Sequence, residues 1–177
     1  MTPAFISAVA RVLAAEGGLS TDQNDPGNWT GGKVNAGEFK GTKYGIAASS
    51  YPKLDIAKLT LEQATAIYER DFWTPIHGDE LPYPVALIVF DGAVNQGVRT
   101  AIRHLQQAVG VTDDGIIGPA TIMAAKSAKD PVGLAGRVIR RRILAYATLD
   151  DWTRYGPGWV QRCLDAYRAV CTGGPAA

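Results

Sequence analysis

The sequence predicts a mostly α-helical protein with a small β-hairpin or turn insert near residues 30–45. Three segments combine a helix-start signal with apolar residues at helical spacing, and they follow Thr2-Pro3, Thr60-Leu61-Glu62-Gln63 and Asp130-Pro131. Between the first two, residues 19–42 are rich in Gly, Asn and Asp and have no helical period. We therefore expect helices on both sides of a loop-rich insert, with a short hairpin around residues 33–43.

Length, composition and charge indicate a globular protein and exclude several other classes. With 177 residues, of which 46% are hydrophobic, the chain can bury a sizeable core. The formal net charge of +1 gives no global attraction to nucleic acid. No apolar stretch is long enough to cross a membrane, and the first residues lack the charged region and long apolar run of a signal peptide. We expect a protein that is soluble when made, with no nucleic-acid partner.

The cysteines and histidines predict neither a disulfide nor a metal site. Cys163 and Cys171 lie eight residues apart, which on one helix is roughly 12 Å and beyond disulfide reach. We expect both to be small core residues. His77 and His104 lack neighbours at ligand spacing, so we expect no metal and no cofactor.

The first helix carries a carboxylate on its apolar face. Glu16 follows Leu13 by three residues and Val12 by four, and Gly17 and Gly18 then end the helix. Desolvation and the negative end of the helix dipole would both disfavour ionisation of this carboxyl group, as a general acid requires. The alternative is a solvated Glu16 where the apolar face meets the surface.

A second group of carboxylates follows in the loop. Asp22, Asn24 and Asp25 resemble the start of a calcium loop, but Pro26 and Lys33 occupy positions where that loop needs oxygen ligands. Asp25 then has two interpretations. It holds its own turn through the backbone, or it is a second catalytic carboxylate that positions or activates water.

Three motifs together resemble glycoside hydrolase family 108, the phage and bacterial muramidases that cut peptidoglycan. They are Glu16-Gly17-Gly18, Asn24-Asp25-Pro26-Gly27 and Thr42-Lys43-Tyr44-Gly45-Ile46. The resemblance implies a lysozyme-like fold with Glu16 as catalytic acid. The order of residues is also similar to that of phage-type lysozymes, which implies a water-orienting carboxylate at Asp25 and a water-holding hydroxyl group at Thr42. This sequence departs from many relatives by an insert of about fifteen residues before Thr42.

Six further residues are candidates for substrate binding. Aromatic side chains can stack on sugar rings or cover a small core, and amide side chains can bind acetamido groups or form internal hydrogen bonds. The candidates are Asp22, Trp29, Tyr44, Gly45, Asn95 and Gln96. The last two lie in residues 85–97, which are apolar nearly all round and predict a central helix that also contains Asp91. Phe72 and Trp73 are expected in the core.

The C-terminal part resembles small peptidoglycan-binding modules. The resemblance rests on Leu105-Gln106-Gln107, Gly110 and the segment Asp114-Gly115-Ile116-Ile117-Gly118-Pro119-Ala120-Thr121. The alternative is that its glycines and proline only shape a tight helix connection, and both interpretations can hold. We expect a catalytic lobe at residues 1–97 and a helical lobe at residues 98–177, packed together as one monomeric unit.

Residues 137–168 contain seven arginines and three aspartates, a local excess of four positive charges. Such a run is typical of a solvated helix face, and it would also attract the anionic bacterial envelope. Gly156-Pro157-Gly158 is expected to interrupt the chain before a final core helix.

The predicted function is hydrolysis of the β-1,4 bond between N-acetylmuramic acid and N-acetylglucosamine. Two alternatives stay open: a lytic transglycosylase that uses Glu16 alone, and a non-catalytic wall-binding or virion protein. The resemblance to phage enzymes implies an endolysin made in the host bacterial cytoplasm and released to the wall through a holin-type lesion.

Overall fold

Helices form most of the part of the chain that the computed structural model describes, residues 1–15 and 18–173. The α-helices found there are α1 (Pro3–Ala15), α2 (Leu61–Tyr68), α3 (Tyr83–Gln96), α4 (Val98–Val109), α5 (Pro119–Lys126), α6 (Pro131–Tyr146) and α7 (Trp152–Thr172). A two-stranded antiparallel sheet accompanies them. The mostly α prediction is confirmed. None of these described helices is long and apolar enough to cross a membrane.

The chain divides into two units by its internal contacts. The loop unit is Val9–Tyr68, and the helical unit is Met1–Ala8 together with Glu69–Ala177. Helix α1 therefore contributes its first residues to one unit and its last residues to the other.

The loop unit contains the predicted hairpin. Strand β1 (Thr42–Lys43) pairs with β2 (Ile46–Ala47), so the hairpin begins at the end of the expected window and its second strand lies just beyond it, while residues 33–37 form bends and a turn. Tyr44 and Gly45 connect the strands with positive φ angles of 53° and 74°. Positive φ at both central residues is the geometry of the two-residue turn that matches strand twist, which fixes the hairpin here.

The capping box before α2 is confirmed. The backbone N–H of Thr60 donates to Gln63 Oε1 at 2.9 Å, and the backbone N–H of Gln63 donates to Thr60 Oγ1 at 3.2 Å. These reciprocal bonds satisfy two donors that the first helical turn leaves free.

The helical unit is built around α3. Every residue of this helix from 85 to 93 is buried, and α4, α6 and α7 pack against it. Trp73 is also buried, with its ring centroid 5.6 Å from that of Phe5 and 5.5 Å from that of Phe90. The prediction of a central α3 and of a core Trp73 is confirmed.

The expected chain break before the last helix is wrong. Helix α7 begins at Trp152 and continues through Pro157. Proline removes one hydrogen bond, to the carbonyl group of Thr153, and the long helix tolerates this loss. Gly156 packs closely on the Trp152 ring, where an added Cβ atom would lie 2.7 Å from it. A glycine at this position therefore lets the helical chain pass the ring without a clash.

Two burial predictions also need correction. Cys163 is buried as expected, but Cys171 on the same helix is exposed, because eight residues rotate the helix about 80° beyond two full turns. Arg140 and Arg141 are exposed, whereas Arg142 is buried. Its position, four residues after Val138, places it on the core-facing side of α6.

Candidate active site

The site prediction begins at the end of α1. This helix ends at Ala15, immediately before Glu16. Glu16 and Gly17 lie outside the described residues, so the environment of the Glu16 carboxyl group stays a prediction.

Asp22 and Asp25 each hold a turn of the loop unit. Asp25 Oδ1 accepts a hydrogen bond from the Gly27 N–H at 2.8 Å and caps the short helical turn Pro26–Asn28. Asp22 Oδ1 accepts from the Asn24 N–H at 2.9 Å. One carboxylate oxygen of Asp25 therefore holds the turn, as the first of the two interpretations expects. Both side chains are exposed, which leaves them accessible for additional contacts.

Asn28 connects the two predicted motifs of the loop unit, and the sequence did not single it out. Its side chain is fully buried. Nδ2 donates to the backbone carbonyl group of Asp22 at 2.8 Å, and Oδ1 accepts from Thr42 Oγ1 at 2.7 Å. Its backbone carbonyl group accepts from the N–H groups of Lys40 and Gly41 at 3.0 and 3.1 Å. The available signal was its position directly after the Asp-Pro-Gly turn, where an amide can bridge backbone groups.

Thr42 is paired with the segment that leaves α1. The Ser20 N–H donates to the Thr42 carbonyl group at 2.7 Å, and the Thr42 N–H donates to the Ser20 carbonyl group at 3.0 Å. Gly41 permits this approach, since it has φ of 82° and an added Cβ atom would lie 2.5 Å from the Ser20 oxygen. The structure thus groups Asp22, Asp25 and Thr42 around Asn28.

The aromatic candidates have structural contacts of their own. Trp29 is half-buried, donates from Nε1 to the Gln23 carbonyl group at 3.0 Å and lies 5.1 Å from the Phe39 ring centroid. The carbonyl group of Tyr44 accepts from the Tyr68 hydroxyl group at 2.9 Å. Trp29 covers a small local core, and Tyr44 with Gly45 forms the hairpin turn.

Asn95 and Gln96 belong to the helical unit, unlike the other candidates. Asn95 is exposed, and its Nδ2 donates to the Asp91 carbonyl group at 2.6 Å. Gln96 Oε1 is buried and has no hydrogen-bond partner in the described part of the chain. A buried amide oxygen without a partner is uncommon, which keeps Gln96 a candidate.

Asp91 forms an internal network of ion pairs in the helical unit. Its carboxylate forms ion pairs with Arg142 and Arg162, from α6 and α7. Burial lowers the pKa of the neighbouring His104, and the charge of Arg142 lowers it further. Burial also raises the pKa of the Cys163 thiol group. These groups support the core of the helical unit.

The segment resembling peptidoglycan-binding modules is held by Gln106. This buried side chain donates from Nε2 to Asp114 Oδ1 at 2.8 Å and to the Ile116 carbonyl group at 3.0 Å, and Oε1 accepts from the Gly115 N–H at 2.8 Å. Hydrogen bonds from Gln106 and from the Ile116 N–H hold the pKa of Asp114 below its usual range. The polar residues of this motif therefore shape the connection between α4 and α5, and Ile116 is left exposed.

No group of three or more His, Cys, Asp or Glu residues suited to a metal ion occurs within residues 1–15 and 18–173.

Comparison with known proteins decides the family. The family model described as Glycosyl hydrolase 108 matches residues 9–97, and the one described as Predicted Peptidoglycan domain matches residues 100–164. The chain belongs to the glycosyl hydrolase 108 family. The resemblance found in the sequence is confirmed, and the protein is a glycoside hydrolase that acts on peptidoglycan.

A solved structure supports the same fold. The structure of Brucella abortus SagA matches this family member with a TM-score of 0.78 and 27% sequence identity, covering 94% of this chain and 93% of that chain. The lysozyme-like, mostly α fold is confirmed. No curated protein matches the chain. The lobes at residues 1–97 and 98–177 stay a prediction, since the family models meet near residue 98 while the internal contacts divide the chain elsewhere.

Proposed function

We propose that this enzyme is an N-acetylmuramidase that hydrolyses the β-1,4 bond between N-acetylmuramic acid and N-acetylglucosamine, with Glu16 as general acid. The observation that carries the proposal is the set of bonds around Asn28. In the sequence, Glu16 directly follows α1 and precedes Ser20 by four residues. Ser20 is paired with Thr42, and Thr42 is bonded to Asn28 in the turn that Asp25 caps.

Two carboxyl groups and a hydroxyl group suffice for the hydrolysis. Glu16 donates its proton to the glycosidic oxygen as the bond to the anomeric carbon breaks. Asp25 orients a water molecule and accepts its proton as the water oxygen bonds to that carbon, and Thr42 holds the water. The products are a reducing-end muramic acid and a free 4-hydroxyl group on glucosamine.

The remaining candidates would contact the sugar chain. Trp29 and Tyr44 offer partly exposed ring surface, and Asp22, Asn95 and Gln96 offer polar groups for hydroxyl and acetamido substituents. Gly45 keeps the hairpin turn narrow beside Tyr44. Asp22 and Asn95 are exposed and the other members of this set are half-buried, so a role for Gln96 requires its buried amide oxygen to be the group that the substrate reaches.

A lytic transglycosylase is the second candidate, and the turn-capping role of Asp25 favours it. Such an enzyme needs one acid and no activated water, so Asp25 would serve only its loop. Mass spectrometry of the products from purified peptidoglycan separates the two. Hydrolysis yields reducing ends that are heavier by one water than 1,6-anhydro ends. Reducing ends and a large loss of kcat in Asp25→Asn support the muramidase, whereas anhydro ends contradict it.

We also propose that the exposed faces of α4 and α6 bind the carboxylates of peptidoglycan peptide stems. Neither helix contains an acidic residue. Two observations show that the helices lie side by side. Arg137 Nε is 3.4 Å from the Ala108 carbonyl oxygen, and the charge of Arg142 acts on His104. Arg99 on α4 is exposed but donates to the Asp114 carbonyl group. The other exposed arginines of the two helices form this basic surface, and they are Arg103, Arg137, Arg140 and Arg141. Guanidinium groups match carboxylates in charge and geometry.

Sedimentation with purified cell walls tests the basic surface. Changing its four arginines to Gln should weaken wall binding by about tenfold or more at low salt. The control changes the same number of charges at the exposed Lys33, Lys53, Lys58 and Lys129, which lie outside residues 137–168, and it should leave wall binding nearly unchanged. Binding should persist on walls stripped of phosphodiester-linked polymers and fall on walls whose carboxyl groups are amidated. Loss on the stripped walls would instead indicate a phosphate-bearing partner.

The cellular setting is proposed from the resemblance to phage muramidases. As an endolysin, the enzyme would accumulate in the host bacterial cytoplasm and reach the wall through a holin-type lesion. Expressed in the cytoplasm of a bacterium, it should cause lysis only after the inner membrane is permeabilised. Lysis without permeabilisation would contradict this setting.

A further inference from the structure

We infer that Asn28 is a positioning residue that makes the Thr42 hydroxyl group a hydrogen-bond acceptor toward the catalytic water. The inference rests on the proposed function, in which Thr42 holds that water. It concerns the direction of one hydrogen bond, which follows from the groups that Asn28 contacts.

The orientation of the Asn28 amide is determined by its backbone partner. The carbonyl oxygen of Asp22 can only accept, so the amide nitrogen must face it across 2.8 Å. The amide oxygen then faces Thr42 Oγ1 across 2.7 Å. Because an amide oxygen also only accepts, Thr42 must be the donor in this bond.

The hydroxyl group therefore has only lone pairs left for other partners. A threonine hydroxyl group has one proton and two lone pairs, and here the proton is used by Asn28. A water molecule beside Thr42 must donate to it. When the same water donates its second proton to the Asp25 carboxylate, its own lone pair is free to attack the anomeric carbon.

Burial keeps the hydroxyl group from rotating away. The Asn28 side chain is fully buried, so a Thr42 proton turned toward water would leave the Asn28 oxygen without a partner and out of reach of solvent. The Asn28 backbone is held as well, by the N–H groups of Lys40 and Gly41. Before substrate binds, the loop thus holds the Thr42 hydroxyl group as a donor to Asn28, which leaves it an acceptor toward water.

The test is Asn28→Asp, because an aspartic acid side chain reproduces the hydrogen bonds of the amide only while its carboxyl group is protonated. In Asn28→Asp, a neutral carboxyl group can donate to the Asp22 carbonyl group and accept from Thr42. An ionised carboxylate cannot donate to the Asp22 carbonyl group and is repelled by its oxygen, so it leaves the position from which it fixes the Thr42 hydroxyl proton. Burial raises the pKa of a carboxyl group, so both forms should be reached near neutral pH. The ratio of the variant's kcat to that of wild type should fall by about tenfold or more as pH rises from about 4.5 to about 7.5, with KM unchanged.

Asn35→Asp is the matched control. Asn35 is exposed and has φ of 64°, a conformation that Asp also tolerates. Its kcat ratio to wild type should be constant with pH. Activity is measured where thermal melts show every variant to be folded, so a general loss of stability cannot produce the predicted pH dependence.

Two outcomes separate this inference from the proposed function. If Thr42→Val keeps the kcat of wild type, the water-holding role of Thr42 is wrong, and the inference fails with it. If Thr42→Val is impaired but the Asn28→Asp ratio does not vary with pH, only the role of Asn28 is wrong.

A measurement on the wild-type enzyme covers the case in which Asn28→Asp does not fold. NMR should show a Thr42 hydroxyl proton in slow exchange with solvent and close to the Asn28 amide group. A hydroxyl proton in rapid exchange would overturn the inference.

Discussion

Arg142 forms a buried ion pair with Asp91 between α6 and α3 of the helical unit. Arg162 approaches the other carboxylate oxygen, with its Nε 3.1 Å from Asp91 Oδ1, and Arg142 Nε is 3.1 Å from the Tyr146 hydroxyl oxygen. One carboxylate therefore joins three helices, α3, α6 and α7. Removing Arg142 would leave the buried Asp91 carboxylate with the more exposed Arg162 as its remaining ion-pair partner in the described part of the chain, and a buried charge that loses a buried partner is destabilising.

Arg142→Met should destabilise the enzyme strongly. The loss of the buried partner of Asp91 is expected to cost about 3–5 kcal/mol in the free energy of unfolding, which lowers Tm by roughly 6–20 °C for a chain of this size. Urea denaturation and thermal melts measure both. Arg141→Met, one residue earlier and exposed, should change the free energy by about 0.5 kcal/mol or less. Equal effects of the two substitutions would contradict the buried pair.

His104 should make stability depend on pH. Its folded pKa lies below the ordinary value because of burial and Arg142, so the unfolded chain binds the proton more readily. The stability that the neutral His104 side chain contributes is complete above the unfolded pKa of about 6.5, and it is lost as the pH falls toward the folded pKa. From about pH 7.5 to about pH 5, wild type should lose more stability than His104→Gln in urea titrations. Parallel losses would refute the assignment, and His77→Gln, at an exposed histidine, is the control.

Gln106→Leu should loosen the connection between α4 and α5. The substitution keeps the size of the buried side chain but leaves the Gly115 N–H and the Ile116 carbonyl group without partners, at a cost of about 2–4 kcal/mol. NMR titration should also show the pKa of Asp114 moving back toward its ordinary value. Gln107→Leu is the matched control, because Gln107 is exposed and its side chain donates to the exposed Asp113. An unchanged Asp114 titration in Gln106→Leu would count against this network.

Gly41→Ala should disturb the pairing of Thr42 with Ser20. A Cβ atom would meet the Ser20 oxygen, in addition to the strain of about 1–2 kcal/mol at positive φ. We expect kcat on purified peptidoglycan to fall by about tenfold or more. Gly110→Ala has the same kind of strain, with φ of 77°, but open space around the new atom, and should keep its kcat. Retained kcat in Gly41→Ala would show that this pairing does not position the site.

Local signals in the sequence were sufficient for most elements of the fold. The capping box before α2, the apolar run of α3 and the Asp130 cap of α6 each depend on neighbours within a few residues. Pro157 led to a wrong prediction for the same reason. The local rule that proline ends a helix was outweighed by the packing of α7. Arg142 was hidden in a run of three arginines, although its spacing from Val138 matched the core-facing side of the helix.

The candidate site was less predictable. The motifs located Asp25 and Thr42, but their connection through Asn28 joins residues fourteen positions apart and is made by tertiary contacts alone. Asp25 illustrates the second difficulty. A carboxylate that caps a turn and one that activates water need the same residue at the same place, so spacing cannot separate the two roles.

Glu16→Gln tests the proposed role of Glu16 as the general acid. The reducing ends released from purified peptidoglycan are measured for wild type and variant, together with thermal melts. A general acid accounts for about 10²–10⁴-fold in rate, so the variant should release reducing ends at least a hundredfold more slowly while its Tm stays nearly unchanged. Release at the wild-type rate by a folded Glu16→Gln enzyme would contradict this role.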